Sequence, residues 1–227
     1  MSSQTLLFAD MDAQPALTFA DPLYTRYRPQ AIADFCGLAE VKRSLAGFVA
    51  KPRDCGILFV GPAGTGKTSM ALALAHELRA IRHHVSAQEC TVDRVRDLAF
   101  TCRYYPPMGY DRHIVIVDEA DLMSAAAQNA LLSYLDGTNT IEKCTWVFTC
   151  NSIERLHERF VSRCRQLAFS TYGIQADAAK LLERIWNENA HGSAPLNFAR
   201  TIKEQNGNIR AAISILESKL DAMEGLC

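Results

Sequence analysis

The 227 residues are enough for one large domain, or one domain with a small companion. Hydrophobic residues make up 48%, ordinary for a packed globular chain and too many for a disordered one. Lys and Arg total 24 against 25 Asp and Glu, so the protein as a whole has no charge attraction to nucleic acid or membrane, and any DNA contact must come from a local patch.

No apolar run approaches the ~20 residues needed to span a bilayer. The opening "MSSQTLLFADMDAQ" carries acids and no basic segment, unlike a secretory or organelle signal. Eight Cys stand at 36, 55, 90, 102, 144, 150, 164 and 227, with no C-x-x-C pair and no zinc-type spacing. Several lie inside apolar runs, which favours reduced core thiols over a disulfide framework. The six His show no metal-ligand pattern. The expected location is cytoplasmic, with nucleoid or nucleus compatible and no membrane association.

In chain order, residues 1–20 lack periodicity and read as an N-terminal arm. "TRYRPQ" (25–30) holds an X-Pro break, and "IADFCGLAEVKRSLAGFV" reads as a turn entering an amphipathic helix. "GILFV" (56–60) is a short continuous apolar run, as in a strand buried on both faces. After a glycine-rich stretch, "KTSMALALAHELRAI" predicts a helix and "HHVSA" a short strand. "TVDRVRDLAFTC" predicts a helix capped by its Thr. "HIVIVDEAD" (113–121) predicts a second buried strand ending in acids, and "SAAAQNALLSYLDG" a helix with a Ser cap and a terminal Gly. "TWVFTCN" (145–151) and "RQLAFS" (165–170) predict a third and fourth buried strand. The alternation argues for an α/β fold, a parallel sheet with helices on both faces, over residues 21–170. Residues 171–227 hold only helical patterns, "QADAAKLLERIWNENA", "PLNFARTIKEQN" and "NIRAAISILESKLDAM", and predict a small all-helical domain.

"GPAGTGKT" fits G-x-x-x-x-G-K-[ST] at every position and lies between a strand and a helix, as its chemistry requires. The stretch is Gly61, Pro62, Ala63, Gly64, Thr65, Gly66, Lys67 and Thr68, followed by Ser69. Its glycines let backbone N–H groups curl around phosphate oxygens, and the helix N-terminus adds a positive dipole end. Lys67 offers a point charge to the β/γ-phosphates, and Thr68 a hydroxyl ligand for Mg²⁺. "IVIVDEAD" supplies Asp118 as a second Mg²⁺ holder and Glu119 as general base for the attacking water. Asn151 ends the third strand, where such sheets hold ligands; it can orient water against the γ-phosphate or cap the segment "SIERLHERF".

These motifs together resemble the AAA+ ATPases, P-loop NTPases with a helical lid, and within them the small subunits of the sliding-clamp loader, the replication factor C type. "YRP" (27–29), with "DFCGLAEVKRSL", is similar to that family's adenine-side segment and implicates Arg28 and Pro29. "SRC" (162–164) resembles the clamp loaders' Ser-Arg-Cys motif, and "GNIRAAISILE" the second sensor. The resemblance runs from about residue 24 to 220. It implies Mg-dependent ATP hydrolysis at subunit interfaces. Arg163 would reach the γ-phosphate held by a neighbouring copy or a homologous AAA+ subunit, and Arg210 would touch the nucleotide from the lid. For DNA, Arg94, Arg96 and Arg103 are the candidate contacts, with Asp93 and Asp97 offering an ion-pair reading of the same face. Arg159 and Arg165 read as rim ion pairs or solvated ends. Clamp-loader subunits carry a third, collar domain, whereas this sequence stops at Cys227, just after the lid. A different task is thus kept beside the loading of a replication factor such as a sliding clamp: a helicase loader or regulatory ATPase of a mobile element. A third reading is an ATP-locked assembly platform with little turnover.

Overall fold

The computed structural model describes residues 21–190, 196–223 and 225; the proposed N-terminal arm and Cys227 lie outside these. The apolar runs become strands β1 (Gly56–Val60), β2 (Ala80–Ser86), β3 (Arg112–Asp118), β4 (Cys144–Cys150) and β5 (Cys164–Ala168). They form one parallel sheet in the order β2-β3-β4-β1-β5. Every residue of β4 is buried, as expected of a strand flanked on both sides and covered on both faces. The helices are α1 (Leu23–Arg26), α2 (Ala39–Ala50), α3 (Lys67–Glu77), α4 (Val92–Cys102), α5 (Ala125–Leu135), α6 (Glu158–Val161), α7 (Gln175–Asn189), α8 (Phe198–Glu204) and α9 (Ile209–Met223). Two predicted caps form: Thr91 Oγ1 accepts from Arg94 N at 3.2 Å to start α4, and Ser124 Oγ from Ala127 N at 3.1 Å to start α5.

Side chains alternate across the sheet and so build two cores. On one face Val85, Val115, Val117, Trp146 and Phe148 pack against α4 and α5. On the other, Ile57, Phe59, Ile114, Ile116 and Val147 pack against α2 and α3. A third cluster unites α7, α8 and α9, and takes in Leu23 and Tyr27 from the other end of the described chain. Leu23 N donates to Glu217 Oε1 at 2.7 Å, so α1 is tied to α9.

Two expectations need correction. The helix predicted through Ile81 stops at Glu77, and Ala80 and Ile81 already belong to β2. Arg79 takes a left-handed backbone, φ 48°, which breaks the helix and turns the chain into the strand. β5, predicted as buried, is an edge strand paired with β1 alone, and only Cys164 in it is buried. Its predicted run began at Arg165 and missed Cys164, the residue that faces inward.

Phe59 is fully buried, its ring 5.0 Å from that of Phe169. Phe59→Ala is expected to cost about 3–5 kcal/mol through lost transfer energy plus a cavity. Urea unfolding checks this, and a loss below about 1 kcal/mol would contradict the packing described.

Candidate functional site

β1 ends at Val60, and its loop swings under α3. Gly64 (φ 76°) and Gly66 (φ 90°) take left-handed conformations that a side chain would strain. A Cβ on Gly64 would lie 1.8 Å from Asn208 Oδ1, just before α9. The same oxygen accepts from Ala211 N at 3.0 Å, so Asn208 caps α9 while touching the loop. Among the described residues, the backbone N–H groups of 63–69 have no hydrogen-bond partner within the chain. A row of undonated N–H groups at a helix start fits an anion.

Lys67 Nζ points back under this loop, donating to Gly61 O at 2.7 Å, Pro62 O at 2.9 Å and Asn151 Oδ1 at 3.0 Å. These acceptors are neutral. Burial lowers the pKa of Lys67 below its ordinary 10.5; Cys150, Asp121 and Asp118 oppose that, and Arg210 adds to it. Asn151 therefore faces the lysine. It caps no helix, since the next one, α6, starts at Glu158 after His157.

Thr68 Oγ1 donates to Asp118 Oδ1 at 2.9 Å, bringing the two predicted metal holders together. Thr149 Oγ1 donates to the same oxygen at 2.8 Å, and His84 Nε2 lies 2.6 Å from Asp118 Oδ2. Glu119 is exposed and left-handed, φ 57°, a conformation uncommon outside glycine and costly enough to need support. That support includes its N–H, which donates to Thr149 Oγ1 at 3.2 Å. Asp121 Oδ1 is buried with no hydrogen-bond partner.

The cleft above the loop is lined by Arg28, Pro29, residues 63–69, Glu119, Asn151 and Arg210. Gly61, Pro62 and Asp118 border it from behind through the contacts just given. Four further features were missed by sequence reasoning: Thr149, His84, the partnerless Asp121 and the aromatic wall of Tyr24, Tyr27 and Phe35. Tyr27 lay inside the quoted "YRP", Phe35 inside "DFCGLAEVKRSL", Asp121 inside "IVIVDEAD" and Thr149 inside "TWVFTCN", but none was given a role; Tyr24 and His84 belong to no motif. The donor set fits a magnesium–triphosphate: a hydroxyl and a carboxylate at contact distance for a hard cation, and undonated N–H groups with a buried ammonium for the anion.

Arg163 is not part of this cleft. Its Nε lies 3.5 Å from Asp136 Oδ2, and its Nη1 donates to the Arg159 carbonyl at 2.9 Å. The Asp136 carboxyl is held below its usual range chiefly by the Thr138 hydroxyl and N–H, with Arg163 a smaller cause. Arg165 donates to Ser44 Oγ at 2.6 Å, and Arg159 is solvated. Arg94, Arg96 and Arg103 are exposed on or just after α4; Arg96 pairs with Asp93 at 3.4 Å and Arg103 donates to Asn139 Oδ1 at 2.8 Å.

The depressed pKa of Lys67 has a measurable sign. The free site gives up this proton more readily than an unperturbed lysine, whereas a polyphosphate beside Nζ favours the charged form. Between the depressed value and 10.5, ATP binding is therefore expected to take up a proton. Calorimetry in buffers of different ionisation heat reads this uptake, and an enthalpy independent of buffer would contradict it.

Comparison with known proteins identifies the family. The AAA profile, "ATPase family associated with various cellular activities", matches residues 57–172. Replication factor C subunit 4 of Arabidopsis thaliana is 30% identical over 90% of this chain and 64% of its own length. The replication factor C small subunit of Archaeoglobus fulgidus is 31% identical over 85% of this chain and 61% of its own. The chain thus spans a little over three fifths of these relatives. Thermotoga maritima RuvB, described as a Holliday junction branch migration motor, shares the fold at TM-score 0.70 and 21% identity, over 84% of this chain and 64% of that one. Among the described residues no helix is long and apolar enough to cross a membrane. With the profile covering more than half of its residues, the chain belongs to the AAA family of ATPases, and its sequence is like that of replication factor C small subunits.

Proposed function

We propose that the protein binds Mg-ATP in this cleft and hydrolyses it between subunits, as the motor of a clamp-loader-like assembly acting on a replication factor at DNA. The observation that carries the proposal is Lys67: a buried ammonium held by neutral oxygens beneath a row of undonated N–H groups. The loop N–H groups and Lys67 hold the β- and γ-phosphate oxygens. Thr68 and Asp118 hold the metal, with His84 and Thr149 fixing the carboxylate. Bound Mg²⁺ supplies charge neutralisation to the phosphate oxygens. Glu119 takes the proton of the attacking water, and Asn151, already aligned with Lys67, orients that water. Arg28 and Pro29, beside the aromatic wall, flank the adenine, and Ser69 extends the cradle. Arg210 reads the γ-phosphate from α9.

Arg163 acts on the nucleotide of a neighbouring copy or homologous subunit. To do so it exchanges Asp136, a loose 3.5 Å partner in a pair whose side chains are 32% and 25% exposed, for the developing charge of the transferring phosphoryl group. Turnover thereby depends on assembly. Arg94, Arg96 and Arg103 are proposed phosphate contacts on DNA.

Lys67→Ala is expected to abolish ATP binding by calorimetry. Glu119→Gln is expected to bind ATP while losing about 10²–10⁴ in turnover, and Arg163→Ala about 10³–10⁵. Mixing the last two variants should recover activity that neither has alone, because one intact interface forms from two defective chains. No recovery in mixed oligomers verified by mass spectrometry would exclude a finger supplied in trans.

A further inference from the structure

At the end of the sheet away from the nucleotide cleft, four side chains with nitrogen or sulfur donors meet on one face. His113 and Cys144 are direct neighbours in the β3–β4 register, near the start of their strands. His83 lies diagonally across on β2, two residues beyond the partner of His113. α4 ends by placing Cys102 on the same face. This face is otherwise apolar: the positions that follow are Val85, Val115 and Trp146.

Donor atoms of His83, Cys102 and His113 all lie within 4.8 Å of one another. His83 Nε2 and His113 Nδ1 are 3.0 Å apart. The Cys144 thiol contacts that of Cys102. Ligand atoms on one tetrahedral zinc stand about 3.3–3.8 Å apart, given Zn–N of ~2.0–2.1 Å and Zn–S of ~2.3 Å. Small adjustments therefore suffice for His83, Cys102 and His113, while Cys144, which lies outside that group of three, must turn its thiol in from beside Cys102.

The surroundings are those of a ligand set. His113 Nε2 is 2.9 Å from the Tyr104 carbonyl, which can only accept, so the proton sits on Nε2 and the Nδ1 lone pair faces the cluster. A carbonyl fixing the tautomer of a histidine in this way is the usual outer contact of a metal-bound imidazole. His113, Cys102 and Cys144 are buried, and half-buried His83 leaves a path from solvent.

We propose that His83, Cys102, His113 and Cys144 form a tetrahedral two-histidine, two-cysteine site for Zn²⁺. The donor set is the one a borderline-soft divalent cation prefers. The contact between the two thiols, with His83 beside it, holds Cys102 below its usual range, while the same contact and burial push Cys144 up. Cys102 and Cys144 are both deprotonated in the metal-bound site, and His83 moves its proton to Nδ1, so that two thiolates and two neutral imidazoles meet the cation and the thiol protons go to solvent. The site ties β2, β3, β4 and the end of α4 together and has no part in hydrolysis.

The test uses the full chain, freed of any affinity tag, reduced and stripped by chelator. Co²⁺ is titrated in as the probe. One equivalent should give the intense visible bands of tetrahedral cobalt and a near-ultraviolet thiolate charge-transfer band, both erased by one equivalent of Zn²⁺. Cys102→Ser should raise the Co²⁺ dissociation constant at least tenfold and weaken the charge-transfer band. His83→Gln, at a half-exposed position that leaves folding intact, should do the same to affinity while keeping that band. A weak octahedral spectrum, the absence of a thiolate band, or affinity unchanged in both variants would overturn the proposal. So would a Cys102–Cys144 disulfide in fresh protein whose reduction yields no Co²⁺ binding.

Discussion

A buried ammonium whose hydrogen-bond acceptors are all neutral organises this molecule. Lys67 opens α3 beneath its own loop and finds only neutral oxygens, two of them carbonyls of the strand-to-loop turn. A charge so placed favours an anion from outside, and the undonated N–H groups of 63–69 add to that demand. The sheet order explains the location. β1 lies between β4 and β5, so its end is next to Asn151, and β3 beyond β4 brings Asp118 within reach of Thr68.

The helical cluster is coupled to the same loop. Gly64 leaves room for Asn208 only because it lacks a Cβ, and Asn208 in turn caps the helix that carries Arg210. A shift of the loop, should a bound nucleotide cause one, would reach α9 through this close contact. Arg163 is in the opposite situation: outside the cleft, in a mostly buried pair with Asp136. Exchanging that carboxylate for a neighbour's phosphate is how the proposed assembly would sense ATP.

Strands with continuous apolar sequence, and the loop between β1 and α3, were readable because their signals are local. So were the caps at Thr91 and Ser124. The helix end at Glu77 was not, because Leu78 and Ile81 continue an apolar pattern and nothing in the letters marks the left-handed Arg79. The exposure of β5 follows from its place at the sheet edge, a property of topology and not of its residues. In the site, motif residues were found, while His84, Thr149 and Asn208 were missed, since each acts through a partner distant in sequence. The His83, Cys102, His113 and Cys144 cluster is the sharpest case: its members sit on four elements, so no spacing rule could join them.

The central claim is that one chain holds every part of the hydrolytic site except an arginine, which arrives from a second chain. Its most direct test is ATP turnover per chain measured over a dilution series, with oligomer size followed in parallel by light scattering. The account predicts that turnover falls with the loss of oligomers while ATP remains bound. Undiminished turnover from chains shown to be solitary would contradict it.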